Sequence, residues 1–258
     1  MNEFVLYECS DRIACLTLNR ADKRNALNPE MIDALKAALT KAKNNADAKV
    51  IVIKSNGTVF SAGADLDHLQ AMQKNSHEEN LADSNHLKEL FEQIYTHPKI
   101  IIAQVEGAAI AGGCGLATVC DFTFSIPEAK FGYTEVKIGF VPAIVMIFLI
   151  RKIGEAKAKE LLLTGKLIDA TKAVQFGLVN SVFSKEEIEI KVKEFATTLC
   201  NETSAQSLTL TKEMIGTVQE LSLEKALNYA AEMNANARGT DDCKKGIAAF
   251  LNKENLTW

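Results

Sequence analysis

No CxxC pair occurs among the six cysteines, and no histidine follows a cysteine at a zinc-like spacing. That removes a structural zinc ribbon and a dithiol redox motif. The expectation is reduced, mostly buried thiols in a cytoplasmic protein. Basic blocks are also missing. Lys and Arg number 29 against 33 Asp and Glu, for a net charge of −4. This balance disfavours nucleic-acid and anionic-membrane partners. The longest apolar run, Phe140–Ile150, is too short to cross a bilayer and contains Pro142. No basic segment with an apolar core opens the chain, so no secretory leader is expected. Low-complexity tracts and Gly/Ser linkers are absent, and the polar stretch Gln73–Asn85 is the one segment expected to be a mobile insertion. The glycines fit neither G-x-G-x-x-G nor G-x-x-x-x-G-K-[ST], and no G-x-S-x-G elbow is present.

What remains is an ordinary globular composition. The 258 residues are 47% apolar and 24% charged. Apolar runs alternate with helical patterns. Phe4–Glu8 and Arg12–Leu18 read as strands with a turn at Ser10-Asp11. Asn28 and Pro29 start a helix whose inner face holds Met31, Leu35 and Leu39. Lys49–Ile53, Ile100–Val105, Phe122–Ser125 and Val179–Phe183 read as further strands. From Ser204 the pattern is helical, with new starts near Ser222 and Thr240. The expected fold class is α/β, with a core over 1–203 and a helical region over 204–258.

Chemistry concentrates at two small-residue junctions, Ser61–Asp65 and Ala111–Gly115. Four glycines lie within nine positions in and just before the second, at 107, 112, 113 and 115. Each costs regular structure about 0.5–1 kcal/mol relative to alanine. Either backbones pack very closely, or a ligand must reach the backbone. Each junction leads from an apolar strand into a helix, whose first N–H groups are free to bind an anion or a developing oxyanion. Glu135 is the third candidate. Its aromatic and β-branched neighbours would raise its pKa and suit it to moving protons. Asp65–His68 lacks a second cluster of metal ligands, so no metal is expected. His77, His86 and His97 are scattered and read as surface residues.

Together these segments resemble the crotonase superfamily of enoyl-CoA hydratases and isomerases. The resemblance rests on Leu18–Asn28, Phe60–Leu66, Gly107–Asp121, Ala129–Pro142, Leu161–Val182 and Gly246–Lys253, in that order. It implies a spiral of ββα repeats with two near-perpendicular sheets, and C-terminal helices that support homotrimers or hexamers. It implies an acyl-CoA substrate and no further cofactor. Backbone N–H groups of Ala64 and Gly112 would hold the thioester oxygen, and Glu135 would transfer the proton. CoA would lie against Lys23, Arg24, Ala26 and Leu27, and against Ala62, Gly63, Asp65 and Leu66.

One departure bears on mechanism. Family hydratases carry two glutamates around one water, and the first of these positions is Gly115 here. The missing acid favours a double-bond shift, whereas the overall resemblance implies hydration of a 2-enoyl-CoA, in look closest to branched-chain methylglutaconyl-CoA hydratases of leucine breakdown. A single-glutamate isomerase and a catalytically impaired acyl-CoA-binding protein are the alternatives. A second departure follows Glu135. Where the family has a glycine-rich run, this chain reads Pro142–Gly154 with bulky Ile144, Val145 and Met146, expected near the acyl pocket.

Overall fold

A computed structural model describes residues 3–258. The chain opens with a hairpin of β1 (Val5–Ser10) and β2 (Ile13–Leu18), paired antiparallel from Val5↔Leu18 to Ser10↔Ile13. The turn is Asp11-Arg12, one residue later than expected. Both take positive φ, 51° and 65°, and two left-handed residues in succession match the twist of the flanking strands. Helix α1 (Pro29–Asn44) follows, and the Asn28 side chain accepts from Met31 N at 3.0 Å.

A three-part pattern then repeats. A long strand is followed by a short strand in another sheet, and then by helix. The first round is β3 (Val50–Ser55), β4 (Val59–Ser61), α2 (Leu66–Met72) and α3 (His77–Tyr95). The second is β5 (Ile100–Val105), β6 (Ala108–Ile110) and α4 (Gly112–Val119). The third is β7 (Phe122–Ser125), β8 (Lys130–Gly132), a 3-10 helix at Glu135–Ile138, α5 (Ala143–Ile153) and α6 (Glu155–Thr164). Then come β9 (Ile168–Asp169), α7 (Ala170–Phe176), β10 (Ser181–Val182) and α8 (Ile188–Glu202).

The long strands and the two-residue β10 form a six-stranded sheet in the order β1-β2-β3-β5-β7-β10, parallel apart from the hairpin. All six residues of β5 are buried, as expected for a central parallel strand covered on both faces. The short strands form a second sheet, β4-β6-β8-β9, antiparallel only at β8-β9. The ββα repeats expected from the sequence are the ones observed.

Two expectations are corrected. Gln73–Asn85 is largely helical. The Ser76 hydroxyl accepts from Glu79 N, and the Glu79 carboxylate accepts from Ser76 N at 2.7 Å. This capping box starts α3 inside a polar segment, where no apolar periodicity advertised it. His97 is not on the surface. It is 3% exposed, accepts from Lys99 N at 3.1 Å through Nδ1, and places Nε2 3.3 Å from Leu39 O. Burial pulls its pKa from 6.5 to about 4.

The C-terminal helices are α9 (Ala205–Val218), α10 (Leu223–Gly239) and α11 (Asp241–Asn252), capped by Ser204, Ser222 and Thr240. Ala249 is the one residue buried among the described residues of these three helices. Of the six cysteines, all free, Cys114, Cys120 and Cys200 are buried and the other three half-buried.

Candidate active site

Equivalent turns of two successive repeats carry the candidate oxyanion donors. The first turn runs from β4 to α2. Leu27 N donates to Gly63 O at 2.7 Å, and Asp65 N to Leu27 O at 3.0 Å. This parallel bridge faces the Ala64 N–H away from Leu27. No acceptor for it is present among the described residues. Asp65 caps α2 by accepting from Asp67 N and His68 N, and its other oxygen accepts from Arg20 Nη1 at 2.5 Å. Burial alone would raise the Asp65 pKa. The hydrogen bonds from Arg20 and the helix start outweigh burial and hold it below its ordinary value.

The second turn runs from β6 to α4. Its hinge is Ala111, at φ 51° and ψ −125°, a backbone region costly for a side-chain-bearing residue. Ala111 N donates to Gly132 O at 2.8 Å, and Ala111 O accepts from Gly115 N at 2.9 Å. The Gly112 N–H is among the free donors of the first helical turn. The two turns interlock. Gly63 has φ +85°, and a Cβ there would stand 2.8 Å from Ile110 O and 3.2 Å from Gly112 N. Both N–H groups, on adjoining turns, have no acceptor among the described residues, which makes them the candidate donors to a ligand anion.

The four glycines answer to different causes. A Cβ at Gly107 would collide with the Thr58 carbonyl, and one at Gly113 would lie 2.7 Å from Ser61 Cβ. One at Gly115 would lie 2.8 Å from Val145 Cβ and 3.0 Å from Phe91 Cε1. At Gly112 a Cβ would meet only Leu27 Cδ1 at 3.4 Å and Gly63 Cα at 3.9 Å. Packing explains three of them. Gly112 is bare where the protein itself leaves room.

Glu135 opens the 3-10 helix after β8, and its carbonyl accepts from Phe140 N at 3.0 Å. Its side chain is buried, and Oε2 has no hydrogen-bond partner among the described residues. Desolvation raises its pKa, offset in part by a hydrogen bond from its own backbone. Cys114 of α4, the neighbour of Gly115, feels the Glu135 charge, although burial is what chiefly drives that thiol up to about 12. The Tyr133 hydroxyl lies 2.8 Å from Thr118 Oγ1, tying the segment that carries Glu135 to the helix that begins at Gly112.

A family model described as enoyl-CoA hydratase/isomerase matches residues 8–258. The chain belongs to the enoyl-CoA hydratase/isomerase family. A Thermus thermophilus protein bearing an enoyl-CoA hydratase name is 42% identical over 241 residues, covering 93% of this chain and 95% of that one. A crotonyl-CoA hydratase of Syntrophomonas wolfei is 32% identical over 258 residues, covering 99% and 98%. Among solved structures, a Legionella pneumophila crotonase superposes with a TM-score of 0.90 at 35% identity, covering 99% of both chains. An enoyl-CoA hydratase from Shewanella pealeana gives 0.93 at 28% identity, covering 99% and 96%. This is an enzyme of the enoyl-CoA hydratase/isomerase type on the crotonase fold.

The segments assigned to CoA by resemblance run side by side. Ala62 N donates to Arg24 O at 3.0 Å, and Leu27 bridges Ala64. Ala26, Leu27 and Gly63 are buried, Ala62 is half-buried, and Ala64 and Leu66 are exposed. Lys23 Nζ is held 2.9 Å from the Asp67 carboxylate, and Arg24 is exposed at φ +52°. Asp65 has its carboxylate committed to Arg20 and the α2 cap, a structural engagement the sequence did not announce. Sequence reasoning also passed over Asn25. Its buried amide donates to Asn56 O and Val59 O, and its Oδ1 accepts from Arg20 N. An asparagine ending the polar run Asp22–Asn25 was the available signal, since asparagine tolerates the left-handed backbone it takes here, at φ +51°.

Proposed function

We propose that this enzyme adds water across the C2=C3 bond of a 2-enoyl-CoA. The amides of Ala64 and Gly112 hold the thioester oxygen, and Glu135 is the acid–base group. The observation that carries this reading is the presence of two uncommitted N–H groups together with a buried carboxyl whose Oε2 has no partner among the described residues. As water attacks C3, Glu135 takes its proton, and the negative charge moves onto the thioester oxygen as an enolate. Glu135 then delivers the proton to C2 and the carbonyl re-forms. One carboxyl suffices for both transfers in sequence. CoA lies along Lys23–Leu27 and Ala62–Leu66, and needs no further cofactor. The reading extends to a branched acyl chain of the methylglutaconyl type in leucine breakdown, to cytoplasmic location, and to a homotrimer or hexamer built through residues 204–258.

A second reading, a double-bond shift, is favoured by one observation: position 115 carries no carboxylate. Glu135 alone would take a proton from C2 of a 3-enoyl-CoA and return it at C4. Absorbance of the conjugated enoyl thioester separates the two. Hydration bleaches the band with crotonyl-CoA or 3-methylglutaconyl-CoA, whereas isomerisation creates it from a 3-enoyl-CoA. Glu135→Gln is expected to lower either rate by roughly 100- to 10,000-fold. Turnover unchanged in that variant would remove Glu135 from the mechanism. Thioester binding without turnover in the unaltered chain would leave only the acyl-CoA-binding role.

A further inference from the structure

We infer that Val145, backed by Phe91, sets the ratio of hydration to double-bond shift by filling the volume a carboxylate side chain at position 115 would occupy. This rests on the enolate chemistry proposed above. The loss of an acid at 115 is not a simple vacancy. A Cβ on Gly115 would stand 2.8 Å from Val145 Cβ, closer still to Val145 Cγ1, and 3.0 Å from Phe91 Cε1. Real Cβ atoms do not approach other carbons so closely, so even alanine there displaces one of the two.

Neither neighbour is free to move. Val145 is 3% exposed and Phe91 fully buried. Val145 is β-branched and sits in α5, where one χ1 rotamer dominates. Phe91 stacks on Phe148 with ring centroids 5.9 Å apart at 26°. The wall is built from two helices, α3 and α5, closing on α4, and its α5 side is the segment where the sequence places bulky Ile144, Val145 and Met146. Its chemistry matters as much as its volume. A resident water needs two to four polar partners. Valine and phenylalanine supply none, and Glu135 Oε2 already lacks a partner. A water attacking C3 is therefore oriented by Glu135 without a second acid, whereas a proton carried between C2 and C4 needs no second group. The wall penalises one reaction and leaves the other untouched.

The test is a pair of exchanges assayed for both reactions. Gly115→Glu alone is expected to fold poorly and to gain no hydration. Gly115→Glu with Val145→Gly is expected to raise the hydration-to-shift ratio at least about tenfold, a tenth or less of what a placed acid–base group contributes. Val145→Ala is not sufficient relief, because its Cβ would remain 2.8 Å from the new one. Gly115→Ala with Val145→Gly is the uncharged control, expected to leave the ratio unchanged. If the double variant does not fold, Val145→Gly assayed with sodium formate replaces it: formate entering the opened volume raises hydration saturably and leaves the shift alone. The inference falls if Gly115→Glu alone raises the ratio as much as the double variant. It also falls if neither the double variant nor formate moves the ratio while Glu135→Gln still abolishes turnover, which leaves the enolate reading standing. Glu135→Gln without effect sinks that reading itself.

Discussion

Two buried titratable side chains show how environment divides roles between residues. Glu135 and His97 are both desolvated, which disfavours the charged form of each. Glu135 is thereby raised, with Oε2 left without a partner among the described residues, as the proposed proton-transfer role requires. His97 is lowered to about 4 and fully engaged with backbone, in the posture of a structural neutral imidazole. The sign of its pH effect follows from linkage. With a folded pKa near 4 and an ordinary value of 6.5, the unfolded chain binds the proton more readily between those limits. The contribution to stability is present above pH 6.5 and is lost as pH falls toward 4. The full span is on the order of 3 kcal/mol. Urea midpoints measured from pH 7 to 4.5 are expected to fall more steeply for the unaltered chain than for His97→Gln. Parallel pH profiles for the two would show that His97 is not the titrating group.

At the scale of elements, the repeat is the reason a site exists at all. Each round turns from a short strand into a helix, and two successive rounds set such turns side by side. Gly112 and Gly113 separate the two demands made on these junctions. Gly113→Ala would push a methyl onto the Ser61 carbonyl and side chain, with Cβ and Oγ at 2.7 Å. A loss of about 1–3 kcal/mol is expected from overpacking, read as a lowered urea midpoint. Gly112→Ala meets nothing closer than Leu27 Cδ1 at 3.4 Å and is expected to keep its midpoint. Its kcat/KM is expected to drop by at least roughly tenfold, because the methyl enters the space where a ligand oxygen must reach two amides. Equal loss of stability in both variants would mean that Gly112, too, is there for packing. Much at this scale was legible. Asn28-Pro29, the apolar run of β5, and the caps at Ser204, Ser222 and Thr240 each announce themselves within a few residues. What stayed hidden depends on partners far apart in sequence. Arg20 meets Asp65 across the first turn, and Val145 meets Gly115 across a helix pair. No local pattern encodes either contact, so the sequence showed a missing acid but not the wall that replaces it.

For the molecule as a whole, the unresolved account of apolar surface is at the C-terminus. Helices α9–α11 bury one residue among those described, yet they carry Leu223 at 77% exposure, Phe250 at 83% and Leu251 at 72%. A soluble chain rarely leaves so many large apolar side chains to water on one region unless another surface covers them. The region is not badly made as helix. Each of the three has a side-chain N-cap, and the Ser204, Ser222 and Thr240 oxygens accept from backbone at Ser207, Lys225 and Cys243. Well-capped helices that leave several large apolar side chains exposed are what a subunit interface requires, and they fit the homotrimer or hexamer proposed above. The expected result is a native mass of three or six chains by light scattering at micromolar concentration. Phe250→Asp combined with Leu251→Asp is expected to shift that mass toward the single chain. Because both side chains are already exposed within the chain, the far-ultraviolet dichroism of the helices should be retained. A single-chain mass for the unaltered protein would show that water, not a second copy, is the normal neighbour of this face.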